Sequence, residues 1–164
     1  MKKHRSKSPR YKEPPPERKQ EVRAKEDPEN FDRQTPAWQF NQIDKDHALW
    51  GFSQLSHEKL LNLIQQNLSN FETMTWAQIK SASGGKGEGK GTNHHNCPLE
   101  GFCTDAQKRL RELRNEDVSD ELFSLRINAG TRLYGLKDGR IVKFIWYDPH
   151  HKTKNAAYPI KENR

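Results

Sequence analysis

The sequence predicts an α+β domain, with helices packed on one face of a small antiparallel β-sheet and a disordered basic tail in front. Three observations carry that prediction. Apolar residues recur at helical spacing over 60–71 and again over 106–113. From Leu122 the period changes to two, the signature of half-buried strands. Residues 1–35, by contrast, hold little that a core is made from.

The tail opens with Lys2, Lys3, Arg5, Lys7, Arg10 and Lys12 and no acid, followed by Pro14-Pro15-Pro16 and a mixed-charge run. Such a segment buries too little apolar area to offset the entropy lost on ordering. It reads either as a solvated tail or as a flexible arm adding phosphate affinity. Across the chain, 29 Lys and Arg face 22 Asp and Glu, a formal net charge of +7. That balance favours partners bearing phosphate or acidic side chains. No run approaches the roughly 18–20 apolar residues a bilayer span needs, and no apolar stretch follows the basic N-terminus. Two cysteines make no disulfide framework. The expected setting is cytoplasmic, without a membrane.

The domain is expected over 36–160. Trp38, Phe40, Ile43, Leu49, Trp50, Phe52 and Leu55 are too dense for a linker. Ser56 is a suitable N-cap, with Lys59 rather than Glu three residues on, so no capping box is expected. Leu60, Ile64, Leu68 and Phe71 then trace one helical face, widened by Leu61. A short helix is expected at Thr75 to Ile79. Residues 81–98 form a glycine-rich loop that lacks the G-x-x-x-x-G-K-[ST] spacing of a nucleotide P-loop. A helix over 105–114 buries Ala106, Leu110 and Leu113 and wets Lys108, Arg109 and Arg111.

Three strands follow, at 122–127, 131–136 and 141–147, joined by Asn128-Ala129-Gly130 and by a turn holding Asp138-Gly139. Alternation assigns Phe123, Leu125, Ile127, Leu133, Val142, Phe144 and Trp146 to the core. The opposite face carries Ser124, Arg126, Arg132, Tyr134, Lys143 and Tyr147. Cations bind phosphates and aromatic rings stack on bases, so this face suits RNA, although an ordinary solvated sheet face fits the same pattern. His150 and His151 close the sheet, and histidine exchanges protons near neutrality. Lys86, Lys90, His94 and His95 suggest a mobile basic lid over the face. His94, His95, Cys97 and Cys103 also form a weak zinc candidate, because their spacing is irregular for a structural site.

The segment SLRINAGTRLYGLKDGRIVKFIWYDPHH, residues 124–151, resembles the RelE/ParE/YoeB superfamily of toxin ribonucleases. The wider stretch 36–160 is also similar to a family of uncharacterised bacterial toxin-like proteins. That likeness rests on Pro36-Ala37-Trp38-Gln39-Phe40, on FETMTW at 71–76, on His94-His95 and on WYDPH at 146–150. The resemblance implies a RelE-like fold and metal-independent RNA cleavage through 2′-OH attack, with no cofactor. It implies Arg132 on the scissile phosphate, with Arg126 or Lys143 assisting, and His150 or His151 near the C-terminal acid. Glu116, Asp120 or Glu121 stands for the glutamate base. The implied partners are RNA, free or on the ribosome, and an antitoxin protein. The alternatives are a non-catalytic RNA- or ribosome-binding module and a domain that meets an acidic protein partner.

Overall fold

The computed structural model describes residues 31–83, 92–114 and 118–159. The first half supplies strand β1 (Ala37–Gln39), helix α1 (residues 57–72) and helix α2 (Trp76–Ser81). Strand β2 (His95–Pro98) and helix α3 (Thr104–Arg114) follow. The expected meander follows as β3 (Glu121–Arg126), β4 (Arg132–Asp138) and β5 (Ile141–Asp148). The fold is α+β, built on one five-stranded sheet in the order β1-β5-β4-β3-β2. β1 runs parallel to β5 and the other pairs are antiparallel, so the sheet is mixed rather than wholly antiparallel. β1 has three residues and β2 four, too few to display an alternation in sequence.

The β4–β5 turn places Gly139 at φ +57°, the left-handed region expected of an Asp-Gly hairpin. Further along, Tyr134 pairs with Trp146 but Gly135 pairs with Phe144, which makes Ile145 an extra residue in β5. A β-carbon at position 135 would lie 2.4 Å from the Lys143 carbonyl oxygen, so only glycine fits. The bulge shifts the alternation. Val142 and Phe144 share one cluster, whereas Ile145 and Trp146 both join the other. Trp146 therefore lies opposite its expected face, and Tyr147 takes the side assigned to Trp146. Gly135→Ala is expected to lower stability by about 1–3 kcal/mol through overpacking. A fall in the urea midpoint checks this, and an unchanged midpoint would show that the bulge accommodates a side chain.

Helices cover both faces of the sheet, which corrects the expectation of one. Phe123, Leu125, Leu133, Val142 and Phe144 pack with Leu63 and Leu68 of α1 and with Trp76 and Ile79 of α2. Leu122, Tyr134, Ile145 and Trp146 pack with Trp50, Phe102 and Ala106 and Leu110 of α3. Strands buried on both sides read as near-continuous apolar runs, as Ile141–Tyr147 does apart from Lys143. Much of the expected open face is thus interior: Tyr134 is fully buried and Ser124 nearly so.

Ser56 caps α1 as expected, its hydroxyl accepting from the Lys59 N–H. The buried stripe differs from expectation because Leu63–Leu68 is a π-helical turn. Hydrogen bonds to i+5 align residues five apart, so Leu63 and Leu68 are buried while Leu61 and Ile64 are exposed. Leu113 of α3, expected inside, is exposed as well. Thr75 and Gln78 close a capping box at α2.

Packing begins by Phe31 rather than Pro36. Asp32 forms an ion pair with Lys80, and the Gln34 carbonyl accepts from the Trp76 N–H. Residues 1–30 of the expected tail and 84–91 of the glycine-rich loop, with Lys86 and Lys90, lie outside the described residues, as does Glu116. Among the described residues no helix is long and apolar enough to cross a membrane.

Asp44 ties the segment before α1 to the sheet. Its carboxylate accepts both Nε and Nη2 of Arg109 on α3 at 2.8 Å, and the Trp146 indole N–H at 3.1 Å. Its own N–H donates to the carbonyl of Ile145, the bulge residue. Burial favours the neutral acid, but the bonds from Arg109 and Trp146 outweigh it and hold the carboxyl at about 2.

Candidate active site

Antiparallel pairing sets Arg126 of β3 directly opposite Arg132 of β4. Like charges in that relation destabilise a sheet. Among the described residues neither guanidinium forms a salt bridge. Arg126 donates from Nη1 to the Asn93 side-chain oxygen at 2.7 Å. Arg132 is 7% exposed and donates from Nη1 to the carbonyls of Asn128 and Thr131, at 2.7 and 3.0 Å. Those carbonyls orient the Arg132 fork without neutralising it. Burial, and then the charge of Arg126, lowers the Arg132 pKa. An oxyanion is the natural counterpart of such a pair.

Beside the arginines lies a cavity of about 350 Å³ lined by His95, Cys97, Gly101, Ser124, Tyr134, His151, Tyr158 and Pro159. Strand pairing builds it, since His95 of β2 is the partner of Ser124 and Ser124 is the partner of Tyr134. Burial, reinforced by the charges of Arg132 and Arg126, pulls the His151 pKa down to about 4. The ring is therefore neutral at pH 7, and its Nδ1 is buried without a hydrogen-bond partner among the described residues. The His95 Nδ1 lies 3.1 Å from the Thr92 carbonyl oxygen. A carbonyl only accepts, so Nδ1–H donates and Nε2 is the atom left to exchange protons.

Asp148 positions His151. Its two oxygens accept the N–H groups of His150 at 2.7 Å and Ala157 at 2.9 Å, which folds residues 149–157 back on themselves. The His151 N–H donates to the Gly130 carbonyl. Burial raises the Asp148 pKa against these backbone bonds.

His94 has a structural task. Its Nδ1 accepts the Arg126 backbone N–H at 3.1 Å, and its ring meets Phe71 edge-on. Burial, then the nearby Arg132 and Arg126 charges, lowers its pKa to about 4. Between pH 6.5 and 4 the unfolded chain binds a proton that the folded ring refuses, so stability falls as pH drops through that window. The loss attributable to His94 is about 3 kcal/mol by pH 4. His94→Asn retains an acceptor for the Arg126 N–H and removes the titration. Urea midpoints at pH 7 and pH 4.5 are expected to differ less in this variant than in the wild type, and parallel behaviour would contradict the assignment.

Of the residues expected to act, the structure brings together Arg126, Arg132, Tyr134 and His151. Tyr134, expected on an exposed stacking face, reaches the site only through the cavity wall. Glu121 is not with them. It lies five residues along β3 from Arg126, about 16 Å at the usual strand rise, exposed and bonded to Asn96. Lys143 pairs with Asp138 near the far end of β5, and Tyr147 packs against Phe52 on the opposite face. His150 sits beside Asp148, and the cavity takes His151 instead. The zinc candidate does not assemble: His94 turns to Phe71 and His95 to the cavity, while burial pushes the Cys97 thiol up to about 11. Among the described residues no three His, Cys, Asp or Glu side chains are placed to share a metal ion. Ser124 was legible as a member of the arginine-bearing face, whereas the parts of His95, Asp148 and Tyr158 depend on pairings and turns that no local pattern marks. Comparison of the chain with protein-family models, with curated proteins and with solved structures finds no match.

Proposed function

We propose that this site belongs to a metal-independent endoribonuclease of the toxin type, acting in the cytoplasm and related to RelE-like enzymes. The observation that carries the reading is a pair of guanidiniums without salt-bridge partners among the described residues, beside a neutral imidazole that lines a cavity. The resemblance of residues 124–151 to toxin ribonucleases supports it. Arg132 keeps the phosphate role assigned on that resemblance, with Arg126 assisting. His151, rather than Glu121, serves as the base.

In this reading the scissile phosphate sits against the two arginines. Its charge offsets theirs, which raises the His151 pKa toward the range where imidazole is an effective base. The ring takes the proton of the ribose 2′-OH, and the 2′ oxygen bonds to phosphorus. The bond from phosphorus to the 5′ oxygen breaks, and that oxygen takes its proton from Nε2 of His95. The products are a 2′,3′-cyclic phosphate and a 5′-OH. The arginines stabilise the charge that grows on the phosphate oxygens. An acidic antitoxin that covers them would hold the enzyme in check.

The test is cleavage of single-stranded RNA by the purified chain in EDTA. His151→Asn is expected to slow cleavage by at least ~100-fold, and His150→Asn to leave it near wild type. Equal losses in both variants would overturn the assignment of the base. RNA binding with a steep salt dependence and no cutting would favour the non-catalytic binding module.

A further inference from the structure

The cavity beside the arginines has more chemistry than proton transfer requires. Tyr134 is fully buried, lines the cavity, and has no hydrogen-bond partner for its hydroxyl among the described residues. Ser124 is its cross-strand neighbour, near enough to influence the phenol but without completing a hydrogen bond to its oxygen. A buried hydroxyl left unpaired is costly and calls for an explanation. Around it the walls are largely apolar or aromatic: the buried Cys97 side, Pro159 and the partly exposed ring of Tyr158.

Tyr158 is held in place from two sides. Its ring meets Phe102 edge-on at 4.9 Å. A β-carbon on Gly101 would lie 2.5 Å from it, so glycine there lets the ring approach the backbone closely. The cavity volume of about 350 Å³ falls at the lower end of the roughly 300–1,000 Å³ typical of small-ligand sites. Apolar walls, an aromatic ring and one or two deep hydroxyls are what a flat heterocycle with polar edges requires.

We propose that this cavity receives one unpaired nucleobase next to the phosphate held by Arg126 and Arg132, with the Tyr134 and Ser124 hydroxyls bonding its edge and Tyr158 packing on it. The inference rests on the ribonuclease reading for the phosphate and adds the substrate class: single-stranded RNA with one base splayed out of the stack. A base inside a duplex cannot enter without unpairing, so paired RNA is a poor ligand.

The test uses the full chain and four probes without a scissile linkage, the nucleoside 3′-monophosphates, with ribose 5-phosphate as the base-free control. Binding is followed by titration calorimetry. At least one nucleotide is expected to bind about tenfold or more tightly than ribose 5-phosphate, the scale of one stacked base. Tyr134→Phe removes only the hydroxyl and is expected to reduce that advantage about fivefold or more. Ser124→Ala provides a second, smaller change at the same wall. Equal affinity for nucleotides and ribose 5-phosphate overturns the base pocket and leaves the ribonuclease reading intact. A base preference that survives both substitutions also overturns it. A base preference that depends on Tyr134, in a protein that cuts no RNA, upholds the pocket and removes the ribonuclease reading.

Discussion

Asp44→Ala is expected to cost about 3–5 kcal/mol of stability, the range seen when one partner of a buried pair is removed. The substitution strips Arg109 of a two-bond carboxylate and leaves the Trp146 indole N–H unpaired. Arg109 retains some solvent and its contact with Glu112, which places the loss toward the lower end. A fall in Tm on the order of 10 °C follows from the usual scaling for a domain of this size. The pH dependence has a definite sign. A carboxyl held near 2 in the fold and near 3.8 unfolded contributes stability that is complete above about pH 4 and is lost as pH falls through 2. The wild type is therefore expected to lose stability in that acid range more steeply than Asp44→Ala. Matching acid profiles, or a thermal midpoint within a degree of wild type, would contradict this account of how the bulge and α3 are joined.

On the proposed ribonuclease function, Arg132→Lys is expected to slow RNA cleavage by ~100- to 1,000-fold, the loss typical of removing one preorganised donor at a growing negative charge. The charge survives and the geometry does not. The guanidinium reaches the carbonyls of Asn128 and Thr131 through Nη1 alone, which leaves its other nitrogens to a phosphate. An ammonium on a flexible stem cannot serve both sets of partners in a fixed plane. The fall is expected in kcat more than in KM, because the interaction strengthens as charge develops. Cleavage at the wild-type rate would remove Arg132 from the mechanism.

The meander was legible because its residues state their period: Phe123, Leu125 and Leu133 lie on the face that alternation assigns them. So was the start of α1, where Ser56 stands at the cap. Each departure has a local cause. The Leu60, Ile64, Leu68 stripe presumes 3.6 residues per turn, and the π-helical turn at Leu63–Leu68 breaks that count. Trp146 changed faces because alternation assumes no bulge, and the sign of one is only a glycine, Gly135, on the partner strand. The site was legible in part. Arg126, Arg132 and Tyr134 stand on one face by counting alone. His151 could be distinguished from His150 only by the fold of residues 149–157 around Asp148. His95 was expected over this face as part of a basic lid, but its place in the cavity wall depends on the pairing of β2, a four-residue edge strand preceded by a glycine-rich stretch, with β3.

In the proposed mechanism a neutral imidazole and two arginines cut RNA through its own 2′-OH. A single-stranded oligoribonucleotide with one 2′-deoxy substitution at the cut site, incubated with the chain in EDTA, tests it most directly. The unmodified strand is expected to be cut to a 2′,3′-cyclic phosphate and a 5′-OH, and the substituted linkage to stay intact. Cleavage at the deoxy linkage, or fragments ending in 3′-OH and 5′-phosphate, would contradict it.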